Sequence, residues 1–461
     1  MYMQDILNKI VSYIVDKGAD FVDIRVEDYS VDSIDIKDGK VHKASTSLIK
    51  GASIRVLYKG ALGFSAVSKI DYDSLRLAAD SALRQARVLS EANVSTNFYR
   101  VSSRHDVVKE DIAVNPRDVD IGDKIRDLLE LNKTITNLSN RIKAITIRYA
   151  DIIGKTIYVS SEERYIEQEQ CYTWLYLWVT GKEGDILAPV RHEIGTRKGY
   201  YLFKKYDMNE LAKVTVDKME KQFKAKTPKG GVYPAVLAPE IVGVFIHEAF
   251  GHLAEADLTM SGSVLKDKLG EKVASELVTI VDDPTIPDAF GTFKYDDEGI
   301  EATPVNIVVN GVLRQLMTDR RYAYYLNTKP TGNARAEDYN VPPLIRMRTT
   351  YIKPGDMTLE ELFEGIKYGY YIVSFRGGQA NLDGTFQVGV QEAYEIIDGE
   401  IGEPVRNMSI SGNTLETLKH ITGVGKDFEI GYGRCGKGQT VFVSDGGPHV
   451  RVEKILVGGS L

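Results

Sequence analysis

Residues 238 to 253 read APEIVGVFIHEAFGHL, and no other stretch limits the possible folds as tightly. Pro239 near the first helical position, with Glu240 in the first turn, starts a helix. Apolar residues then surround it: Ile241, Val242, Val244, Phe245, Ile246, Ala249, Phe250 and Leu253. A helix that is apolar all round belongs inside a core. His247, Glu248 and His252 therefore need a reason to be there, because a buried polar group without a partner costs free energy. Two histidines hydrogen-bonded within a core would leave the same trace.

The two histidines stand five residues apart, one more than in H-E-x-x-H. On a regular α-helix, at about 100° per residue, that separates them by roughly 140°. A π-bulge, whose hydrogen bonds run five residues, returns them to a common face. Gly251 within the interval makes such a distortion easier.

With both imidazoles on one face, the set suits zinc, which needs a third protein ligand and leaves a position for water. Glu248 is then placed to take a proton from that water, whose acidity the metal raises. One source of the third ligand is Cys435 in GYGRCGKGQ, where Arg434 and Lys437 flank the thiol and favour thiolate. Glu271 and Glu276 in KLGEKVASELV lie where many H-E-x-x-H proteases place a carboxylate ligand. Spacing leaves these open. Were Glu255, Glu271 or Glu276 a fourth ligand, the zinc would be structural. The chain would then be a non-catalytic regulatory or scaffolding protein in a homo- or hetero-complex.

At 461 residues the chain needs more than one core. FVDIRVEDYSVDSIDIK and GASIRVLY alternate like half-buried strands, with hairpin turns at Asp38-Gly39 and Lys59-Gly60. Helical periodicity appears over 3–17 and in YDSLRLAADSALRQARVLS, IGDKIRDLLELNKTI and MNELAKVTVDKMEKQFKAK. RIKAITIRYADIIGKTIYVSS and YIEQEQCYTWLYLWVTG read as long strands, and Cys171 in the latter is expected to be core. TPKGG at 227–231 punctuates the chain, and beyond it short strands and glycine turns dominate. The expected fold class is α+β. An α/β-layered N-terminal domain (1–228) precedes a strand-rich antiparallel domain (229–461) that carries the metal-binding helix. The acidic YDDEG (295–299) lacks calcium-loop spacing and reads as a solvated turn. Arg346, Arg348 and Arg376 read as structural or surface ion-pair residues rather than substrate contacts.

A formal charge of −7 with no basic block excludes nucleic acid as a partner. The first twenty residues form an amphipathic helix, no signal sequence, and no apolar run is long enough to span a membrane. Two cysteines exclude a disulfide scaffold and fit a reducing, cytoplasmic setting.

HEAFGHLAEAD, SELVTIVDDPTIPDAFGTFKYDDEG, KPTGNARAEDY, PPLIRMRTTYIKPGD, FRGGQANLDG and GRCGKGQTVFVSDGGPHVRVEKILVGG resemble the TldD/PmbA family of zinc metallopeptidases, in its TldD-like catalytic branch. The resemblance implies zinc held by His247, His252 and Cys435, with Glu248 as catalytic base. It implies hydrolysis of peptide bonds in unfolded or flexible peptides, held as an extended strand. It also implies an assembly, with a second copy or a PmbA-like homologue.

Overall fold

The structure, a computed structural model, describes residues 2–92 and 95–459. The first sheet has seven strands: β1 (Phe21–Lys37), β2 (Lys40–Tyr58), β3 (Ala61–Val67), β4 (Arg104–Val108), β5 (Ile142–Ser160), β6 (Arg164–Glu183) and β7 (Ile186–Thr196). They run β3-β2-β1-β5-β6-β4, with β7 also paired to β6. Both expected hairpin turns form. Asp38 and Gly39 have φ of 48° and 75°, and Lys59 and Gly60 have 46° and 77°. Two successive positive φ values give the turn whose twist matches that of the flanking strands.

Helices α1 (Tyr2–Asp16) and α2 (Tyr72–Ser90) cover one part of this sheet, burying Leu7, Ile10 and Ala79 with Val22 and Ile24. Helices α3 (Ile121–Leu138) and α5 (Met208–Lys224), with the short α4 (Leu202–Lys205) between them, cover another. There Leu128, Val216 and Met219 meet Leu175 and Leu177. Asp71, Asp120 and Asp207 cap α2, α3 and α5 by accepting from first-turn amides. Such a cap is worth about 1 kcal/mol.

The second half forms two larger sheets. One contains β8 (Gly231–Leu237), β15 (Tyr368–Ala380), β16 (Thr385–Ile397), β17 (Glu400–Val405), β18 (Met408–Asn413), β19 (Ile421–Val424) and β22 (Val450–Gly459). Its order β15-β8-β22-β18-β16 closes on itself because β15 also pairs with β16, making a barrel. The other runs β11-β10-β9-β14-β21-β20, from β9 (Ile280–Asp282), β10 (Val305–Val309), β11 (Val312–Leu313), β14 (Thr349–Ile352), β20 (Glu429–Gly436) and β21 (Thr440–Gly447). A two-stranded ladder joins β12 (Ala334–Arg335) to β13 (Leu344–Ile345). The pairing is mostly antiparallel, as expected, with β8–β15 and β14–β21 parallel.

The apolar histidine segment lies in the core between barrel and second sheet. Phe245 meets barrel residue Phe386 edge-on at 5.0 Å between ring centroids. An aromatic pair of this kind adds about 0.5–1.5 kcal/mol beyond area burial.

One expectation is corrected here. The YDDEG turn is not solvated: Asp296 and Glu298 are buried. Asp296 accepts from the Glu298, Ile300 and Ala334 amides, while Glu298 pairs with Arg55 of β2 at 2.6 Å. Glu298 thus fastens the first sheet to the second half, while Asp296 holds the turn itself together. Among the described residues no helix is long and apolar enough to cross a membrane.

Candidate metal centre

The helix begun by Pro239 changes its winding. α6 (Pro239–Val244) runs into a π-helical turn over Phe245–Gly251, followed by a 3-10 turn over His252–Ala254. The wider turn brings the His247 and His252 rings to 5.4 Å between centroids, at 82° to each other. Gly251 has an ordinary helical φ of −57°. Its missing side chain supplies space rather than the conformational freedom expected, for a β-carbon there would stand 2.0 Å from the Met347 Sδ.

Cys435 arrives from β20. The turn that follows is clamped by Arg346, which is wholly buried and donates to the Cys435 carbonyl at 2.6 Å and the Gln439 carbonyl at 2.7 Å. Arg348, equally buried, pairs with Asp282 at 2.7 Å. Both arginines serve the fold, out of reach of a substrate.

One donor atom each from His247, His252 and Cys435 lies within 4.8 Å of the other two. The Cys435 Sγ is 3.3 Å from the His252 Nε2. Nitrogen and sulfur donors on one tetrahedral zinc, at about 2.0 and 2.3 Å, would stand about 3.5 Å apart. His247 is 2% exposed, and among the described residues neither of its ring nitrogens has a hydrogen-bond partner. An orphaned buried polar group costs about 1–3 kcal/mol, which a metal ion at that point would relieve. The donor set therefore fits zinc.

The rivals lie elsewhere. Glu271 is more than half exposed and pairs with Lys268, and Glu276 is exposed. Glu255, weighed as a fourth ligand, is wholly buried on the far side of the His252 ring, its Oε2 2.9 Å from Nδ1. Cys171 is buried in the first sheet, where burial pushes its thiol up to about 12.

Charge within the trio is shared. Burial disfavours a Cys435 thiolate, but His247 and His252 outweigh it and hold the thiol down at about 5. Burial likewise opposes charge on His252, yet Glu255 and Cys435 push it up to about 10. The histidines, not the flanking cations, make the thiolate. Arg434 lies over the Trp174 and Phe442 rings, and Lys437 reaches Asp257 at 2.7 Å.

A cleft of about 560 Å³ opens beside His247 and Glu248. Glu248 is 41% exposed in its side chain, with Oε2 3.9 Å from the His252 Nε2. β7 contributes Arg191 to Ile194, β15 contributes Phe375 to Gly378 except Arg376, and β20 contributes residues 429–434. Among these lie acids that sequence reasoning missed. Burial above all pushes Glu193 up to about 7 and Asp445 up to about 6. Nothing local in RHEIG or VSDGG marks them; only the long-range approach of β7 and β21 to the helix does.

Three family models match, described as PmbA/TldA metallopeptidase domain 1 (22–86), central domain (114–223) and C-terminal domain (230–459). The chain is 41% identical over 444 residues to a "Zinc metalloprotease TldD homolog" of Saccharolobus solfataricus, covering 96% of this chain and 97% of that protein. It is 38% identical over 459 residues to a "Metalloprotease" of Methanothermobacter thermautotrophicus, covering 99% of each. Among solved structures, a putative modulator of DNA gyrase from Thermotoga maritima shares the fold with a TM-score of 0.82, at 20% identity over 99% of this chain and 100% of that one. TldE from Thermococcus kodakarensis does so with a TM-score of 0.80, at 20% identity over 98% of this chain and 100% of that one. The class is thus a metallopeptidase of mixed α+β fold. The chain belongs to the PmbA/TldD metallopeptidase family.

Proposed function

We propose that this chain is a zinc-dependent peptidase acting on unfolded or flexible peptides. The single observation that carries the reading is the convergence of His247, His252 and Cys435 beside Glu248 at the wall of an open cleft. His247 and His252 would hold the ion through ring nitrogens, and Cys435 through its thiolate. Zinc, when bound, supplies a Lewis acid that polarises a carbonyl and makes water a nucleophile near neutral pH.

Glu248 faces the cleft and directly follows the first histidine in the chain. It takes the proton of the attacking water and returns it to the leaving amine nitrogen. Among the described residues β20 pairs only with β21 and is the terminal strand of its sheet. Its residues 429–434 line the cleft in succession, so its unpaired main-chain groups are available to an extended peptide. Binding through the backbone would make cleavage weakly dependent on sequence, and folded proteins could not supply such a strand. A cleft that cuts any flexible peptide would need shielding from folded proteins, and a second copy or a PmbA-like homologue would supply it in an assembly.

The test is Glu248→Gln. The variant should retain zinc in a one-to-one ratio and lose peptide cleavage; full activity with a flexible peptide would refute the role.

A further inference from the structure

Glu255 has no place in the chemistry just described, yet it is the most awkward side chain near the site. It is wholly buried, and among the described residues its Oε1 has no hydrogen-bond partner. Burying a carboxylate that is only partly satisfied is costly, so a fold that keeps one there gains something in return. Its other oxygen takes part in two contacts: Oε2 is 2.9 Å from the His252 Nδ1 and 3.0 Å from the Lys437 Nζ. Lys437 in turn donates to both oxygens of Asp257, at 2.9 and 2.7 Å, and to the Ile345 carbonyl at 3.1 Å.

The chain positions of these residues matter. Glu255 and Asp257 follow His252 by three and five residues, where the 3-10 turn ends and Glu255 adopts an extended backbone (φ −73°, ψ 121°). Lys437 follows Cys435 by two, in the turn between β20 and β21. The ammonium therefore joins the segment that carries one histidine to the turn that carries the cysteine. Those two side chains are 183 residues apart in sequence.

We propose that Glu255 and Lys437 form a positioning bridge that sets His252 and Cys435 in register before the metal ion arrives. Glu255 accepts from the His252 Nδ1 and so leaves Nε2 as the nitrogen directed at the Cys435 side of the site, where it gives up its proton when the ion binds. A ligating histidine held this way by a carboxylate has a fixed tautomer and ring plane. Lys437 fixes the carboxylate itself and ties it to the cysteine turn. The proposal rests on His247, His252 and Cys435 being the ligands.

Zinc affinity, measured by competition with a chromophoric chelator on the full chain, tests the bridge without reference to activity. Glu255→Gln and Lys437→Met should each bind zinc about 10- to 100-fold more weakly than the parent, and Lys437→Arg should recover most of the loss. In the cobalt-loaded protein, Lys437→Met should weaken the sulfur-to-metal charge-transfer band as Cys435 drifts. Far-UV circular dichroism of the metal-free proteins establishes that each variant is folded. If Glu255→Gln does not fold, Lys437→Met, which changes a side chain 15% exposed, decides the matter. Parental zinc affinity in the folded variants, while Cys435→Ser and His252→Ala lose the metal, would overturn the bridge and leave the ligand set standing. Parental affinity in Cys435→Ser would remove the ligand set, and the bridge with it.

Discussion

Gly251 and Met347 approach so closely that a β-carbon on the glycine would stand 2.0 Å from the Met347 Sδ, with the Ile246 carbonyl oxygen 3.3 Å away. The methionine, buried to 1% exposure, thus seats the π-helical turn. Gly251→Ala should displace that turn, destabilise the protein by about 1–3 kcal/mol and lower its zinc content. Adding Met347→Ala should restore part of the zinc content. Urea unfolding and metal analysis of the single and double variants check both statements.

Cys435→Ser replaces a thiolate by a hydroxyl that stays protonated at neutral pH. Zinc affinity should fall by more than about 100-fold, beyond what loss of an outer partner costs. Retention of stoichiometric zinc in this variant would return a carboxylate to consideration as third ligand.

Glu193 gives a pH-dependent prediction. Burial pushes its carboxyl up to about 7 from 4.5. A folded value above the unfolded one means the native state holds the proton longer. Its contribution to stability is complete below about pH 4.5 and is lost as pH rises towards 7. Glu193→Gln should therefore unfold at a higher temperature than the parent at pH 8, and the difference should shrink towards pH 4.5. An upper bound is about 3 kcal/mol. Calorimetry of both proteins across that range measures it.

Arg55 of β2 bridges Asp23 and Glu298, with all three side chains buried. Arg55→Met would leave both acids unpaired and should cost about 3–5 kcal/mol, read as a lower denaturation midpoint. If the two halves unfold separately in the variant, the fluorescence of Trp174 and Trp178 in β6 will report a transition distinct from that of the zinc site.

The hairpins of the first sheet and its covering helices were legible because turn chemistry and periodicity act within a few residues. Asp38-Gly39 needs only its own two φ values. The π turn could likewise be anticipated from a five-residue histidine spacing. What escaped depends on distant partners. YDDEG looks like a solvated turn until Arg55, 243 residues from Glu298, is brought against it. Gly251 looks like a source of backbone freedom until Met347 is seated upon it. The barrel was invisible for the same reason: β8, which ends at Leu237, pairs with strands that begin only at Tyr368 and Val450. Glu193 and Asp445 carry no local pattern, and their character comes wholly from the cleft they line.

That closure has a bearing on how the molecule is made. β8 precedes the histidines, but its antiparallel neighbour β22 is synthesised more than two hundred residues later, and Cys435 appears only shortly before β22. Pairing between such remote segments is slow to form. On a ribosome, then, the histidine helix emerges long before the sulfur that would complete its grip on an ion. A nascent chain is itself a floppy peptide, and under the proposed function this order of assembly would spare it until the cysteine strand has been made.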